Sequence, residues 1–224
     1  MKLTRILPVV AFVIFGVAPL AAENRPNIVF FLVDDLGWSD VGCNGSPFYD
    51  TPNIDRLAEE GVRFTSGYAA CHVCSPTRAS ILTGKYPATL NLTDWLDGRS
   101  NRPYQVLQNP DKAMVLDPDE TTLAEVLKGE GYATALFGKW HLGTLAPDYS
   151  VKNNRKPEKN YMTPGMSGFD EWFSTEYSVS TWDPYNPENA HNGILDPRVL
   201  FYHNGRNIVD GPAEGLVGDT AELV

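Results

Sequence analysis

The sequence predicts an α/β fold built on a mostly parallel sheet, from three kinds of local pattern. Two apolar runs, Asn27–Val33 and Tyr132–Phe137, have the unbroken hydrophobicity of buried parallel strands. A further run, Val62–Tyr68, is predicted as the strand between them. Helix signals lie in the intervals: a Thr-Pro pair at 51–52 and a capping box at 122–125. Strands that alternate with helices are typical of α/β folds.

The helix after Thr51 is predicted from its cap and from its apolar spacing. Thr51 is a favoured N-cap residue, Pro52 suits the first helical position, and Gly61 is a typical terminator. Its expected buried face consists of Ile54, Leu57 and Ala58. The second capping box predicts a helix through Lys128, ended by Gly129 and Gly131.

Composition excludes some classes of partner. The 224 residues are 42% hydrophobic and 21% charged, which is ordinary for a chain that buries a core. The formal net charge is −10 at pH 7, and no basic cluster interrupts it. This balance argues against a nucleic-acid or anionic-membrane surface. An acidic protein that binds an anion needs a local cationic pocket.

Residues 1–22 have the pattern of an export signal, followed by a mature chain from residue 23. Lys2 and Arg5 precede an apolar run, Ile6–Val17, and small residues follow at Ala18–Ala22. The alternative is a membrane anchor, which the short span and its Pro and Gly residues disfavour. We therefore predict an exported protein, periplasmic or secreted, with no membrane attachment after cleavage.

Two adjacent carboxylates, Asp34 and Asp35, follow the first predicted strand. Sites in open α/β sheets lie at the carboxyl ends of strands. Paired carboxylates there are costly unless a cation neutralises them, and a hard divalent cation does so well. The alternative is a turn or helix cap formed by these residues before Gly37.

The stretch Cys74–Gly84, CSPTRASILTG, predicts a helix whose start carries reactive groups. Pro76 suits a first helical turn, and Ser75 is a candidate cap. Cys74 then lies at or just before a helix N-terminus, where unpaired N–H groups and the dipole favour an anion. Arg78 follows one helical turn later, so its guanidinium can reach the same point. The pattern predicts a nucleophile beside a site for a tetrahedral oxyanion.

Cys71 and Cys74 also form a C-x-x-C pair, which leaves a redox or metal role as the alternative. A zinc site needs a second ligand pair, which the sequence lacks. Export implies an oxidising compartment, in which disulfides form. The chain has three cysteines, so they cannot all be paired with one another. Whether Cys43 pairs with Cys71 stays open.

The run GKWHLG at 138–143 follows the strand Tyr132–Phe137. Lys139 and His141 alternate along an extended chain, so both side chains can reach one side while Trp140 packs on the other. A lysine supplies charge for an anion, and a histidine carries a proton. The alternative is an exposed loop.

These segments together resemble the sulfatase family, in its formylglycine-dependent, arylsulfatase-like type I form. CSPTR matches the C-x-P-x-R core, VDDLGWSDVG resembles the first metal segment, and GYATALFGKWH resembles the second signature. Gly168-Phe169-Asp170 resembles a later G-F-D segment. Phe137 and His72 are minor departures from the commonest forms of the signatures. The resemblance runs from Asn27 to about Asp170.

The resemblance implies an alkaline-phosphatase-like sandwich, with a large mixed, mostly parallel sheet flanked by helices. It implies that a maturase converts Cys74 to Cα-formylglycine, whose hydrate attacks the sulfur of a sulfate ester. Asp34, Asp35 and the modified Cys74 would bind Ca²⁺, with Mg²⁺ as the alternative. Arg78 would hold the diol, Lys139 a sulfate oxygen and His141 a diol hydroxyl.

The family's second metal segment, an Asp-Asn pair, has no candidate, and 210–224 contains none. We therefore expect residues 23–224 to be the N-terminal part of a catalytic domain, and to be inactive and prone to aggregation when expressed alone.

The expected substrate is a sulfated small molecule or glycan, with a carbohydrate sulfate preferred. Two alternatives remain: a phosphoester or phosphonate hydrolase of the same superfamily, and a non-catalytic secreted glycan-binding protein. The polar segment Val151–Met166 is predicted as a surface loop, and His191 and His203 as surface histidines.

Overall fold

The computed structural model describes residues 25–150, 156–178 and 201–207. The chain divides into two compact units, Met1–Asp55 and Arg56–Val224. The predicted export signal at 1–22, His191 and residues 210–224 lie outside the described residues. Within the described ranges, no helix has the length and apolar character needed to cross a membrane.

The first unit contains two short 3-10 helices, Trp38–Asp40 and Gly42–Asn44. Helix α1, Pro52–Glu60, begins in this unit and continues past its boundary. The Thr51 hydroxyl donates to Asp55 Oδ1 at 3.0 Å and accepts from the Gly42 N–H at 2.7 Å. The Pro52 start and the end before Gly61 are confirmed.

Two of the predicted strands are wrong. Residues 27–33 and 62–68 form no strand in the described structure, and their side chains are exposed, Phe31 to 83%. The face expected from Ile54 and Leu57 is exposed too. An apolar run indicates only that a segment is suited to burial. A strand forms only where a neighbour accepts its backbone hydrogen bonds, and these runs pair with no strand among the described residues.

The second unit contains three further helices: α2, Cys74–Thr83; α3, Leu123–Gly129; and α4, Pro157–Asn160. A 3-10 helix spans Gly165–Ser167. Helices α2 and α3 confirm the predictions from the CSPTR stretch and the capping box. In α3, Thr122 Oγ1 accepts from the Glu125 N–H at 3.2 Å, and Glu125 Oε2 accepts from the Thr122 N–H at 2.8 Å.

One mixed sheet of four strands has the order β1-β2-β3-β4. The strands are β1, Ala135–Lys139; β2, Glu171–Thr175; β3, Phe201–His203; and β4, Arg206–Asn207. β1 and β2 are parallel, and the other two pairs are antiparallel. The strand predicted over 132–137 is confirmed as β1, but it begins and ends later. The register sets Lys139 opposite Thr175, so β1 and β2 end at the same level.

Asp170 fixes the start of β2 against the chain before β1. Its Oδ2 accepts from the N–H of Thr134 at 3.1 Å, and the Thr134 hydroxyl donates to the Gly168 carbonyl at 2.7 Å. Lys128 of α3 forms an ion pair with Oδ1 of Asp170. The G-F-D segment therefore joins a helix to the two parallel strands.

The core of the second unit is built from the segments that carry the predicted site. Its buried members are Ala79, Leu92, Leu96, Leu116, Trp140, Leu142, Leu145, Met162, Trp172 and Tyr202. The indole N–H of Trp140 donates to the Met162 carbonyl at 2.7 Å, which confirms that Trp140 packs inward. The surface loop predicted over 151–166 is therefore wrong in its second half, because Met162 and Thr163 are buried.

Candidate functional site

Cys74 is the first residue of α2, and Val73 is the N-cap. The thiol-bearing residue is half-buried and occupies the helix N-terminus, as predicted. Ser75 does not cap the helix. Its buried hydroxyl instead accepts a hydrogen bond from the Leu96 N–H at 3.1 Å. The residue after the predicted nucleophile is thereby tied to the loop at Leu96.

The three cysteines, all within the described residues, form no disulfide. Thr77 holds the turn before α2, since its hydroxyl donates to the Cys71 carbonyl at 2.8 Å. Cys71 Sγ lies 3.8 Å from Nδ1 of His72. Among the described residues, no group of three or more His, Cys, Asp or Glu side chains could hold a metal ion. The C-x-x-C pair therefore has no further ligands there.

Arg78 joins α2 to the end of β1. Its Nη1 donates to the backbone carbonyl of Lys139 at 2.5 Å. Both residues are half-buried. Helix α2 ends at Gly84, whose φ of 69° is left-handed and whose N–H donates to Ser80 O. The structure therefore brings the CSPTR helix and the GKWH segment into direct contact, which sequence spacing alone did not require.

His141 is buried, at 3% exposure, and its Nε2 lies 2.5 Å from the Leu96 carbonyl oxygen. A carbonyl only accepts, so we assign the proton to Nε2. In the neutral ring, Nδ1 is then the nitrogen that can take a proton. The chain does not stay extended from Lys139 to His141, as the sequence predicted, because β1 ends at Lys139 and His141 has a left-handed φ of 57°.

Glu176 is the buried polar residue that sequence reasoning missed. It is 1% exposed, its carbonyl accepts from the His141 N–H at 2.9 Å, and its Oε1 accepts from the Ser150 hydroxyl at 2.5 Å. The Tyr177 ring lies 6.0 Å from the His141 ring. A signal was present in the sequence, since Glu176 directly follows the end of β2 as Trp140 and His141 follow the end of β1. Only the β1–β2 register brings the two ends together.

Asp34 and Asp35 belong to the first unit. Both are exposed in a turn, and Asp35 has a φ of 59°. This conformation is one that Asp tolerates better than most residues. Their oxygens are the donor type that Ca²⁺ takes, but Ca²⁺ needs about six to eight ligands. The carboxylate oxygens are therefore the right type of donor for a hard cation, but the described residues supply too few of them to complete its coordination shell.

His203 is exposed and forms an ion pair with Glu171, which confirms the expectation of a surface histidine. The hydrogen bond from His203, and a second from Asn204, lower the pKa of Glu171. Glu171 and His203 lie on the paired strands β2 and β3, so the ion pair links the two strands at the surface.

The sulfatase family model matches residues 26–212. N-acetylgalactosamine-6-sulfatase from Sus scrofa is 39% identical over 185 residues, covering 82% of this chain and 30% of that protein. Arylsulfatase A from Bos taurus is 38% identical over 188 residues, covering 82% of this chain and 32% of that protein.

Similarity also extends to solved structures. One protein, solved with its substrate D-glucosamine-2-N,6-O-disulfate, matches with a TM-score of 0.54 and 29% identity, covering 81% of this chain and 27% of that one. This likeness confirms the expected α/β class, with a mixed sheet and helices. The chain spans about 30% of the length of the curated relatives described above. By its sequence and its fold, this chain belongs to the sulfatase family.

Proposed function

We propose that the protein hydrolyses a sulfate ester carried by a carbohydrate, with Cys74 as the precursor of the nucleophile. The observation that carries the proposal is the hydrogen bond from Arg78 to the Lys139 carbonyl. It joins the helix that begins at Cys74 to the strand end that carries a lysine and a histidine. A nucleophile, two cationic side chains and a proton carrier on connected segments are the groups that transfer of a charged tetrahedral ester requires.

Conversion of Cys74 to formylglycine belongs to the proposal, as does the maturase that performs it. One hydroxyl of the hydrated aldehyde would attack sulfur as the S–O bond to the sugar breaks and the alcohol leaves. The second hydroxyl would then lose its proton and re-form the C=O bond, which breaks the C–O bond to the sulfate group and releases sulfate. A plain serine lacks that second hydroxyl. The support is the uninterrupted CSPTR core and the position of Cys74 at the helix N-terminus, where negative charge is stabilised.

The charged side chains have separate proposed roles. Arg78 orients the modified side chain, because it lies one helical turn beyond Cys74 on the same helix. Lys139 binds a sulfate oxygen as a compact positive charge. His141 takes a proton at Nδ1, since its Nε2 is engaged by the Leu96 carbonyl. Each role uses a group that the described structure anchors by a hydrogen bond or by the end of β1.

Asp34 and Asp35 are proposed as part of a site for a divalent cation, Ca²⁺ in the first instance, with the modified Cys74 as the third ligand. A bound cation would polarise the ester and offset its negative charge. Because the described residues do not complete a coordination shell, the roles above do not depend on the ion.

The proposal of a sugar substrate rests on two related proteins. One relative is an N-acetylgalactosamine-6-sulfatase, and one structural neighbour was solved with a disulfated glucosamine as its substrate. We further propose export to the periplasm or the outside, on the pattern of residues 1–22.

The test uses the full-length protein, produced with and without a formylglycine-generating maturase. Mass spectrometry of the peptide that contains Cys74 reports the conversion, and release of sulfate from a panel of sulfated sugars reports activity. We expect conversion and turnover together, and loss of both in Cys74→Ala. Cys71→Ala is the matched control and should keep turnover. An unmodified thiol with the maturase present, or hydrolysis of phosphate esters alone, would overturn the proposal.

A further inference from the structure

A cleft of about 660 Å³ lies in the segment between Gly98 and Asn109. Pockets for small ligands usually measure about 300–1,000 Å³. The polar and aromatic residues that line this one are Arg99, Ser100, Arg102, Tyr104, Gln105 and Asn109. None of them belongs to the proposed catalytic or metal-binding residues.

Two arginines in one cleft stand out in a chain with a net charge of −10. Arg99 and Arg102 are both exposed, and toward other described residues they form hydrogen bonds through their backbone groups alone. Within the described ranges, neither guanidinium group forms an ion pair, whereas Lys85, Lys112 and Lys128 are all paired with carboxylates. The cleft is therefore a local cationic site, of the kind that an acidic protein needs to bind an anion.

An aromatic ring and neutral polar groups complete the lining. Tyr104 is 82% exposed, so its ring offers an apolar face and a hydroxyl to a ligand. Gln105 and Asn109 also line the cleft, with side-chain amides that form hydrogen bonds within the segment. A planar ring and arginine forks suit a sugar that carries an anionic substituent. The forks bind sulfate or carboxylate through paired hydrogen bonds, and the ring covers a sugar face.

Hydrogen bonds within the segment shape the cleft without a ligand. The Asn109 side chain donates to the Arg99 carbonyl at 2.6 Å, and its N–H donates to Asn101 Oδ1 at 2.7 Å. The N–H of Gln105 donates to the Arg102 carbonyl at 3.0 Å. A segment closed in this way loses less entropy on binding than an open loop does.

Leu96 connects this segment to the proposed catalytic groups. Its N–H donates to Ser75, next to Cys74, and its carbonyl accepts from His141. The lining begins two residues later, at Gly98, whose φ is 79°. Any side chain there would meet Lys112 Nζ at 1.7 Å. The lining of the cleft therefore begins two residues along the chain from the leucine that contacts the candidate site.

We propose that this cleft is a subsite for a second anionic group on a glycan substrate, a sulfate or a uronate on the sugar that neighbours the scissile ester. Arg99 and Arg102 bind the anion, and Tyr104 covers the sugar ring. This inference rests on the proposed function, and it adds that the substrate is an oligosaccharide with more than one anionic group.

The first experiment measures binding without turnover. The full-length protein with Cys74→Ala is titrated with a chondroitin 6-sulfate tetrasaccharide by calorimetry at low salt. Removing an arginine that forms a charge-assisted hydrogen bond costs about 1.5–3 kcal/mol, which is roughly 10- to 150-fold in affinity. We expect losses of that size for Arg99→Ala and Arg102→Ala. Arg56→Ala, which removes an exposed arginine from α1, is the matched control and should bind as the Cys74→Ala parent does.

The second experiment separates this subsite from the chemistry. On the active protein, the ratio of kcat/KM for the tetrasaccharide to kcat/KM for a small aryl sulfate should fall at least tenfold in Arg102→Ala, and remain constant in Arg56→Ala. An unchanged ratio, equal binding by all variants, or no binding by the parent would overturn the subsite. Arginine-dependent binding without any sulfatase activity would retain the subsite and reject the proposed function.

Discussion

The Nε2 atom of His141 lies 2.5 Å from the carbonyl oxygen of Leu96. The same leucine donates its N–H to Ser75, at the start of the helix that carries Cys74. One buried residue therefore sets the position of the proposed proton carrier and of the turn beside the proposed nucleophile. Leu96 carries no reactive group, so its importance comes from its backbone.

His141→Gln keeps an amide N–H that can donate to Leu96 but removes the nitrogen that titrates. We expect kcat to fall about 10²- to 10⁴-fold, as loss of a general acid or base typically does. The pH profile of kcat should lose the limb that depends on this histidine. His203→Gln, at the exposed histidine of β3, is the control and should keep parent kinetics. Parent rates in His141→Gln would limit His141 to a positioning role.

Asp35→Asn tests the proposed cation site with little change to the backbone, because Asn also tolerates the left-handed conformation that Asp35 adopts. We expect the full-length protein to lose bound divalent metal, measured by elemental analysis, and to lose turnover with it. Asp50→Asn, at another exposed aspartate, should keep both. Activity that survives chelation would show that the assignment of Asp34 and Asp35 to a metal is wrong.

Gly143→Ala should destabilise the fold. An added Cβ would lie 2.6 Å from Met162 Cβ and 2.8 Å from the Met162 carbonyl oxygen, and neither can move without disturbing the core. Overpacking of this kind costs about 1–3 kcal/mol in the free energy of unfolding. Gly129→Ala at the end of α3 meets nothing within 4 Å and should be neutral or stabilising. Urea unfolding of both variants measures the difference, and equal midpoints would contradict the close approach.

Asp170→Asn tests a pH dependence. The hydrogen bond from Lys128, and then that from the Thr134 backbone, lower the pKa of Asp170 below its ordinary value of 3.8. A lowered pKa means that the folded state favours the charged form. The contribution of Asp170 to the stability of the fold is therefore present above pH 3.8 and is lost as the pH falls through its folded-state pKa.

The melting temperature of Asp170→Asn should therefore lie below that of the parent at pH 6, and the gap should close in acid. Asp111→Asn, at an exposed position, should show no such gap. A gap that stays constant from pH 6 into acid would exclude the carboxylate as its cause.

The local sequence was sufficient to predict those elements whose structure depends on interactions between residues close together in the chain. Thr122 and Glu125, three residues apart, satisfy each other's backbone groups, and Gly84 takes the left-handed conformation that ends α2, so both helices could be predicted. The position of Cys74 at a helix start, and the burial of Trp140, followed from the same reasoning.

The pairing of strands and the contacts between distant segments could not be predicted from local sequence. The apolar runs at 27–33 and 62–68 have strand composition but no strand, because hydrogen-bonding partners and covering side chains come from distant parts of a chain. The same applies to the site. No spacing rule brings Arg78 to the Lys139 carbonyl, Leu96 to His141, or Glu176 beside the end of β1. Those contacts follow from strand register and core packing, which depend on all the segments folding together.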